Sequence, residues 1–97
     1  MAVLFDSTFT MQTVSKRSTY DEKFQAWGDA IHAMNRAIAT DSQMHWLKAA
    51  IEWDVMADLH RDCRDERIYR GIADNCRRNA EMRRLARLID TARREHA

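Results

Sequence analysis

Three side chains with soft, metal-binding atoms are the first candidates for chemistry in this chain of 97 residues. His60 and Cys63 are three positions apart, so they share a helical face if a helix reaches that far. With Cys76 they would make an incomplete zinc set. The paired CxxC or HxxxH spacings of zinc sites are absent, and Cys76 falls on an apolar face, as a small core residue does. We therefore predict no metal site. A Cys63–Cys76 disulfide is the alternative, which a reducing compartment disfavours.

Catalysis would require a nucleophile beside a base, or carboxylates that converge on one pocket. Asp54 and Asp58 share a helical face, but a di-iron bundle also needs a Glu-x-x-His motif, which the chain lacks. His45, Lys48 and Glu52 lie near one another on the same predicted helix, and nothing completes a triad. We predict that the protein is not an enzyme and holds no cofactor.

Arginine is concentrated in the last third of the chain. Residues 1–60 hold five basic and eight acidic side chains, a net of 5 − 8 = −3. Residues 61–97 hold eleven Arg and seven acidic side chains, a net of 11 − 7 = +4. Arginine pairs well with carboxylates and phosphates, which favours docking on an acidic protein or on a nucleic-acid backbone. A solvated helix with internal ion pairs is the third interpretation.

One observation refines this choice. A nucleic-acid module usually has a pI above about 9, whereas the pI of this chain is 7.9. Protein docking is therefore the preferred function of the arginines, with nucleic acid as its alternative. The predicted partner-binding residues share a polar face of the final helix: Arg83, Arg84, Arg87 and Arg94.

The segment from Met44 to Leu59 predicts a helix with two apolar faces, roughly 150° apart at about 100° per residue. One face consists of Met44, Leu47, Ile51, Val55 and Leu59. The other, called the Trp46 face below, consists of Trp46, Ala50, Trp53 and Ala57. An edge helix of a bundle needs only one such face, and tryptophan is enriched at interface hot spots. We predict a homodimer through the Trp46 face; packing of that face on the first helix or the N-terminal arm is the alternative.

The preceding segment predicts an amphipathic helix over residues 20–39, opened by a capping box at Thr19 and Glu22. Large apolar residues recur at spacings of four and three, and we expect this α1 stripe to be fully buried. It consists of Tyr20, Phe24, Trp27, Ile31, Met34 and Ile38. Alanines on its shoulder would let a second helix approach closely: Ala26, Ala30, Ala33 and Ala37.

The remaining boundaries follow from capping residues and charge. Asp41 or Ser42 is the expected N-cap of the second helix. The charged run at residues 60–67 predicts a turn, with one very long helix as its alternative. Residues 66–95 predict a third helix, either continuous or broken near Asn79. Phe5 and Phe9 lie on a period-2 face, which favours an extended N-terminal arm, residues 1–18, laid on the helices; a frayed terminus is the alternative.

Composition fixes the fold class. Hydrophobic residues make up 45% and charged residues 32%, a globular balance. No proline and only two glycines occur, which excludes sandwiches, barrels and loop-built enzymes. We see no membrane span and no secretory signal, and we expect a cytoplasmic protein. The prediction is an all-α protein: a compact bundle of three helices, or four, over residues 19–97, with the arm before it.

The function that these features predict is a non-enzymatic protein–protein interaction module. We expect a small helical regulator, adaptor or inhibitor, of a size that a phage or mobile element can encode, which docks on a larger protein with an acidic surface. The alternative is a nucleic-acid-binding regulator that uses the arginine-rich C-terminal helix.

Overall fold

A computed structural model describes the backbone of residues 2–96 and the side chains of residues 20–96. Over this range the chain forms three helices and no strand, so the all-α prediction is confirmed. The helices are α1 (Ala2–Thr40), α2 (Gln43–Leu59) and α3 (Arg64–His96). A turn at residues 60–63 separates α2 from α3, and α3 runs on without a break. The alternative of a break near Asn79 is therefore wrong.

The extended arm predicted for residues 1–18 is not confirmed. The backbone is helical from Ala2, so α1 does not begin at the Thr19 capping box. No glycine or proline precedes Gly28 to interrupt a helix there. The side chains of residues 1–19, Phe5 and Phe9 among them, lie outside the described part of the chain, and so does their predicted packing on the helices.

The turn between α1 and α2 is built by two adjacent polar residues. Asp41 adopts a left-handed backbone with φ of 49°, a conformation that Asp tolerates better than most residues. Its N–H donates to Ala37 O at 2.7 Å and ends α1. Ser42 is the N-cap of α2, since its hydroxyl accepts from the His45 backbone N–H at 3.2 Å. The cap predicted at Asp41 or Ser42 is therefore Ser42.

The core between the helices is built largely from small side chains. α1 buries Ala26, Ala30, Ala33 and Ala37. α2 buries Trp46, Ala49, Ala50, Trp53, Met56 and Ala57, and α3 buries Ala73, Cys76 and Ala80. Alanine lets helix axes come to the short end of the usual range of about 8–10 Å. α2 packs on both α1 and α3 and carries the largest buried side chains.

The large apolar stripe of α1 does not face α2. Tyr20 is 71% exposed and Phe24 is 72% exposed. Trp27 is 45% exposed, so the predicted full burial of this residue is wrong. The physical reason is angular: the alanines and the stripe lie roughly 110° apart around the helix, and only one of them can be centred on α2. The alanines occupy that position, which leaves the bulky side chains at the surface.

The alanine contact gives a direct test of this packing. Ala30 is completely buried, so Ala30→Leu adds three carbons where there is no room for them, and we expect it to lower the free energy of unfolding by about 1–3 kcal/mol. Ala39 is exposed on the same helix, and Ala39→Leu should change it by less than about 0.5 kcal/mol. Urea melts of both variants make the comparison. Equal stability of the two would mean that another face of α1 packs on α2.

Candidate interaction surfaces

The Trp46 face, predicted to join two chains, lies inside the core of a single chain. All four of its residues are buried, and Trp53 is only 3% exposed. α2 is the central helix, and α1 and α3 both pack against this side of it. A surface that is already covered cannot also receive a second chain without opening the fold. Any homodimer must therefore use a different surface.

Aromatic rings cluster where α1, α2 and α3 come together. The Trp27 and Trp53 rings meet edge to face with centroids 5.8 Å apart, and Tyr69 stacks on Trp53 at 5.9 Å. His60 packs against Tyr69 with ring centroids 5.0 Å apart, and its Nδ1 donates to Met56 O at 2.9 Å. The cluster fixes the relative position of the three helices. Three of these rings, those of Trp27, His60 and Tyr69, also line a shallow cleft with Tyr20, Lys23 and Phe24 of α1.

Asp41 is a junction that the sequence pattern did not reveal. Its carboxylate accepts a hydrogen bond from Trp46 Nε1 at 2.8 Å. The same carboxylate pairs with Arg83 Nη1 at 3.3 Å. One side chain thus ties the α1–α2 turn to the core of α2 and to α3. The signal that could have suggested it is an Asp at a helix end, five residues before a buried Trp whose N–H needs an acceptor.

Ion pairs join α2 and α3 along one edge. Arg70 Nη2 donates to Asp58 Oδ1 at 2.8 Å, and Arg77 Nη1 donates to Asp54 Oδ2 at 2.7 Å. The hydrogen bond from Arg70 holds the pKa of Asp58 below its ordinary value of 3.8. The two carboxylates considered for metal chemistry therefore each face an arginine.

The predicted soft ligands do not form a metal cluster within the described residues. Cys63 is exposed in the turn, whereas Cys76 is buried with its Sγ 3.5 Å from Met34 Sδ. Burial raises the pKa of the Cys76 thiol, as expected of a packed, unreactive cysteine. Among the described residues both cysteines are free rather than joined in a disulfide.

The four arginines predicted to bind a partner have different surroundings. Arg83 pairs with Asp41, and Arg94 pairs with Asp90 at 3.0 Å. Arg84 donates hydrogen bonds to both carboxylate oxygens of Glu81. The hydrogen bond from Arg84 holds the pKa of Glu81 below its ordinary value. Arg87 enters no ion pair with any residue in the described range. It lies instead in a shallow cleft with Met44, Leu47 and Ile51 of α2.

The end of α3 extends past the α1–α2 turn. The Arg83–Asp41 pair marks the point where α3 passes this turn. Every residue from 81 to 96 is exposed, including four large apolar ones: Met82, Leu85, Leu88 and Ile89. We call residues 82–96 the α3 terminal segment. It is an amphipathic helix with arginines on one side, an apolar face on the other and no covering element among the described residues.

Acidification tests the Asp58–Arg70 pair. Because folding lowers the pKa of Asp58, the pair contributes stability at pH values above 3.8 and loses it as the pH falls below 3.8 through the folded-state pKa. Wild type should therefore be more stable than Asp58→Asn at pH 7, and the gap should close below pH 3.8. Asp21→Asn removes an exposed carboxylate with no ion pair among the described residues and controls for net charge. The measurement is the urea midpoint of each protein from pH 7 to pH 3. A difference between wild type and Asp58→Asn that stays constant over this range would show that the ion pair does not cause it.

Comparisons with known proteins add no relative. No protein-family model, curated protein or solved structure matches the chain. Within the described residues, no helix combines the length and the apolar character that a membrane crossing needs. The function must therefore be argued from the exposed surfaces of this chain.

Proposed function

We propose that this protein is a non-enzymatic, cytoplasmic protein–protein interaction module that docks on a larger protein with an acidic surface. It acts as a small regulator, adaptor or inhibitor. In this proposal α2 and the parts of α1 and α3 packed on it carry the docking element, and the α3 terminal segment is that element. The observation that carries the proposal is the exposure of every residue from 81 to 96, with large apolar side chains among them.

Exposed apolar residues at helical spacing support this function. A solvated helix gains nothing from Met82, Leu85, Leu88 and Ile89, and large exposed apolar patches commonly mark interaction sites. An amphipathic helix that lays its apolar face into a groove is a recurrent mode of protein recognition. Among the described residues no helix of the same chain covers this face. We therefore propose that a partner protein binds to it.

The surroundings of Arg87 indicate which chemical groups the partner surface would offer. Its guanidinium is without a carboxylate in the described range and lies beside the apolar side chains of Met44 and Leu47. A cation next to an apolar cleft fits a partner that offers a carboxylate flanked by apolar groups. Arg84 and Arg94 already pair with carboxylates of α3, so they contribute to the positive field rather than to a vacant binding position.

A single charge reversal tests the docking element. A desolvated Arg–carboxylate pair, once broken, costs about 2–5 kcal/mol, so Arg87→Glu should weaken partner binding by at least about 25-fold. Arg67→Glu is the matched control, because Arg67 is an exposed arginine of α3, without an ion pair among the described residues, at the opposite end of the helix. Both variants should retain wild-type circular dichroism. Affinity capture from the native host, followed by binding kinetics with the captured protein, measures the effect.

The outcomes separate the competing functions. Loss of an acidic protein partner with Arg87→Glu but not with Arg67→Glu supports the proposal. Equal binding by both variants and wild type contradicts it. A steep dependence of duplex DNA or RNA binding on salt concentration, reduced by Arg87→Glu, would establish the nucleic-acid alternative instead.

A further inference from the structure

The α1 stripe has the spacing of a helix–helix seam although the core lies elsewhere. From Tyr20 to Ile38 its residues alternate four and three positions apart, the a and d positions of a heptad repeat. Such a repeat keeps one row of side chains facing a partner helix over its whole length. In this chain the row is turned away from the alanine contact with α2, and all of its members except Met34 are exposed. Within the described residues only Trp27 and Met34 of this row contact another helix.

The inner edge of the stripe contacts the other two helices. The Trp27 ring lies 6.4 Å from the Tyr69 ring of α3, and Met34 Sδ touches Cys76 Sγ at 3.5 Å. Beneath them, Trp53 of α2 meets Trp27 with ring centroids 5.8 Å apart. These contacts cover only the inner edge of the stripe, and its outer side stays exposed at Tyr20, Phe24 and Ile38.

The exposed area of the stripe is on the scale of a dimer interface. Aromatic side chains bury about 150–250 Å² each when fully covered. Tyr20 and Phe24 are more than 70% exposed and Trp27 nearly half, with Ile38 exposed beyond them. Together they leave several hundred Å² uncovered, the upper range for a monomer. A standard interface takes about 800 Å² from each partner, which the stripe and its flanks approach.

We propose that a second copy of this chain covers the α1 stripe, and that the two copies pair through their stripes about a two-fold axis. The outer flank of the stripe is uncharged at its middle, where it holds Gly28 and Asn35, and Lys23 lies on the inner side near Phe24. By helical geometry, Asp29 and Arg36 lie on the opposite side of α1. The net charge of +1 means that two copies hardly repel each other. A two-fold interface needs only a patch that is complementary to itself.

The sizes of the side chains favour antiparallel pairing. The first half of the stripe is aromatic, with Tyr20, Phe24 and Trp27, and the second half is aliphatic. Antiparallel helices place each bulky half against the slimmer half of the other copy, which keeps the two axes evenly spaced. A parallel pair would set rings against rings at one end and leave gaps at the other. The two-fold axis then passes near residue 29, the midpoint between Tyr20 and Ile38.

Light scattering and sedimentation across a concentration series test the dimer. Wild type should have twice the monomer mass at tens of micromolar. Phe24→Glu places a charge in the seam of both copies, so it should raise the dissociation constant by about a thousandfold, at roughly 2 kcal/mol per copy. Met44→Glu is the matched control: Met44 is 76% exposed but belongs to the outward face of α2, so its dimer should persist. A monomeric wild type, or dissociation by Met44→Glu instead, would overturn the proposal.

A second pair of variants avoids introducing charge. A Cβ added at either glycine meets no atom within 4 Å in the single chain, and both residues are exposed, so each site can accept a side chain. Gly28→Leu adds bulk on the flank of the stripe and should weaken the dimer at least tenfold, whereas Gly71→Leu on α3 should not. Both variants should melt at least as cooperatively as wild type, because glycine is a poor helix former. Equal dimerisation of the two variants would place the interface elsewhere.

Spin labels determine the orientation. On a Cys63→Ser background, a label at Asp21→Cys lies near the start of the stripe. Antiparallel pairing separates the two labels by roughly 25 Å along the helix axes, at 1.5 Å per residue, whereas parallel pairing brings them to roughly 10 Å. The longer distance supports the proposal and the shorter one contradicts its antiparallel form. Because the α3 terminal segment is a separate surface, these results are independent of the Arg87→Glu test.

Discussion

The close contact between the alanines of α1 and the inner face of α2 is the constraint on which the rest of the structure depends. Because Ala30 and Ala37 are completely buried, α1 cannot also turn its bulky stripe inward. Small side chains bring the helices together but remove little apolar area from water, at about 25 cal/mol per Å². The core is therefore thin, and much of the hydrophobic surface of the chain stays outside it.

The unequal lengths of the helices create the second exposed surface. α2 has 17 residues and α3 has 33, so α2 can cover only about half of α3. Buried residues of α3 stop at Ala80, and the ion pair from Arg83 to Asp41 lies at the boundary. Beyond it the helix is held by its own hydrogen bonds, by short-range pairs such as Arg84–Glu81 and by the cleft that Arg87 shares with α2. Such a segment has few tertiary contacts within the described part of the chain, and a partner would add most of them.

The local features of the fold were predictable, but the orientation of the helices was not. Ser42 as a cap, the charged turn after α2 and the absence of strands follow from short-range chemistry. Periodicity located both the alanine row and the α1 stripe. The larger side chains of the stripe led to the prediction that the stripe is buried, but the alanine row lies in the core. The same ambiguity on α2 led to the prediction that Trp53 lies in a dimer interface, whereas its contacts with Trp27 and Tyr69 lie within one chain. The Asp41–Arg83 ion pair could not be predicted from the sequence because the two residues are far apart in it.

Folding and association are coupled in such a molecule. A small domain retains only a few kcal/mol of net stability, and a core of alanines with a few large side chains supplies less burial than usual. Covering Tyr20 and Phe24, each more than 70% exposed, would bury further apolar area. A contact made only by the folded state stabilises that state by mass action. In the proposed dimer, the exposed stripe would be the part of the hydrophobic surface that a second copy of the chain covers.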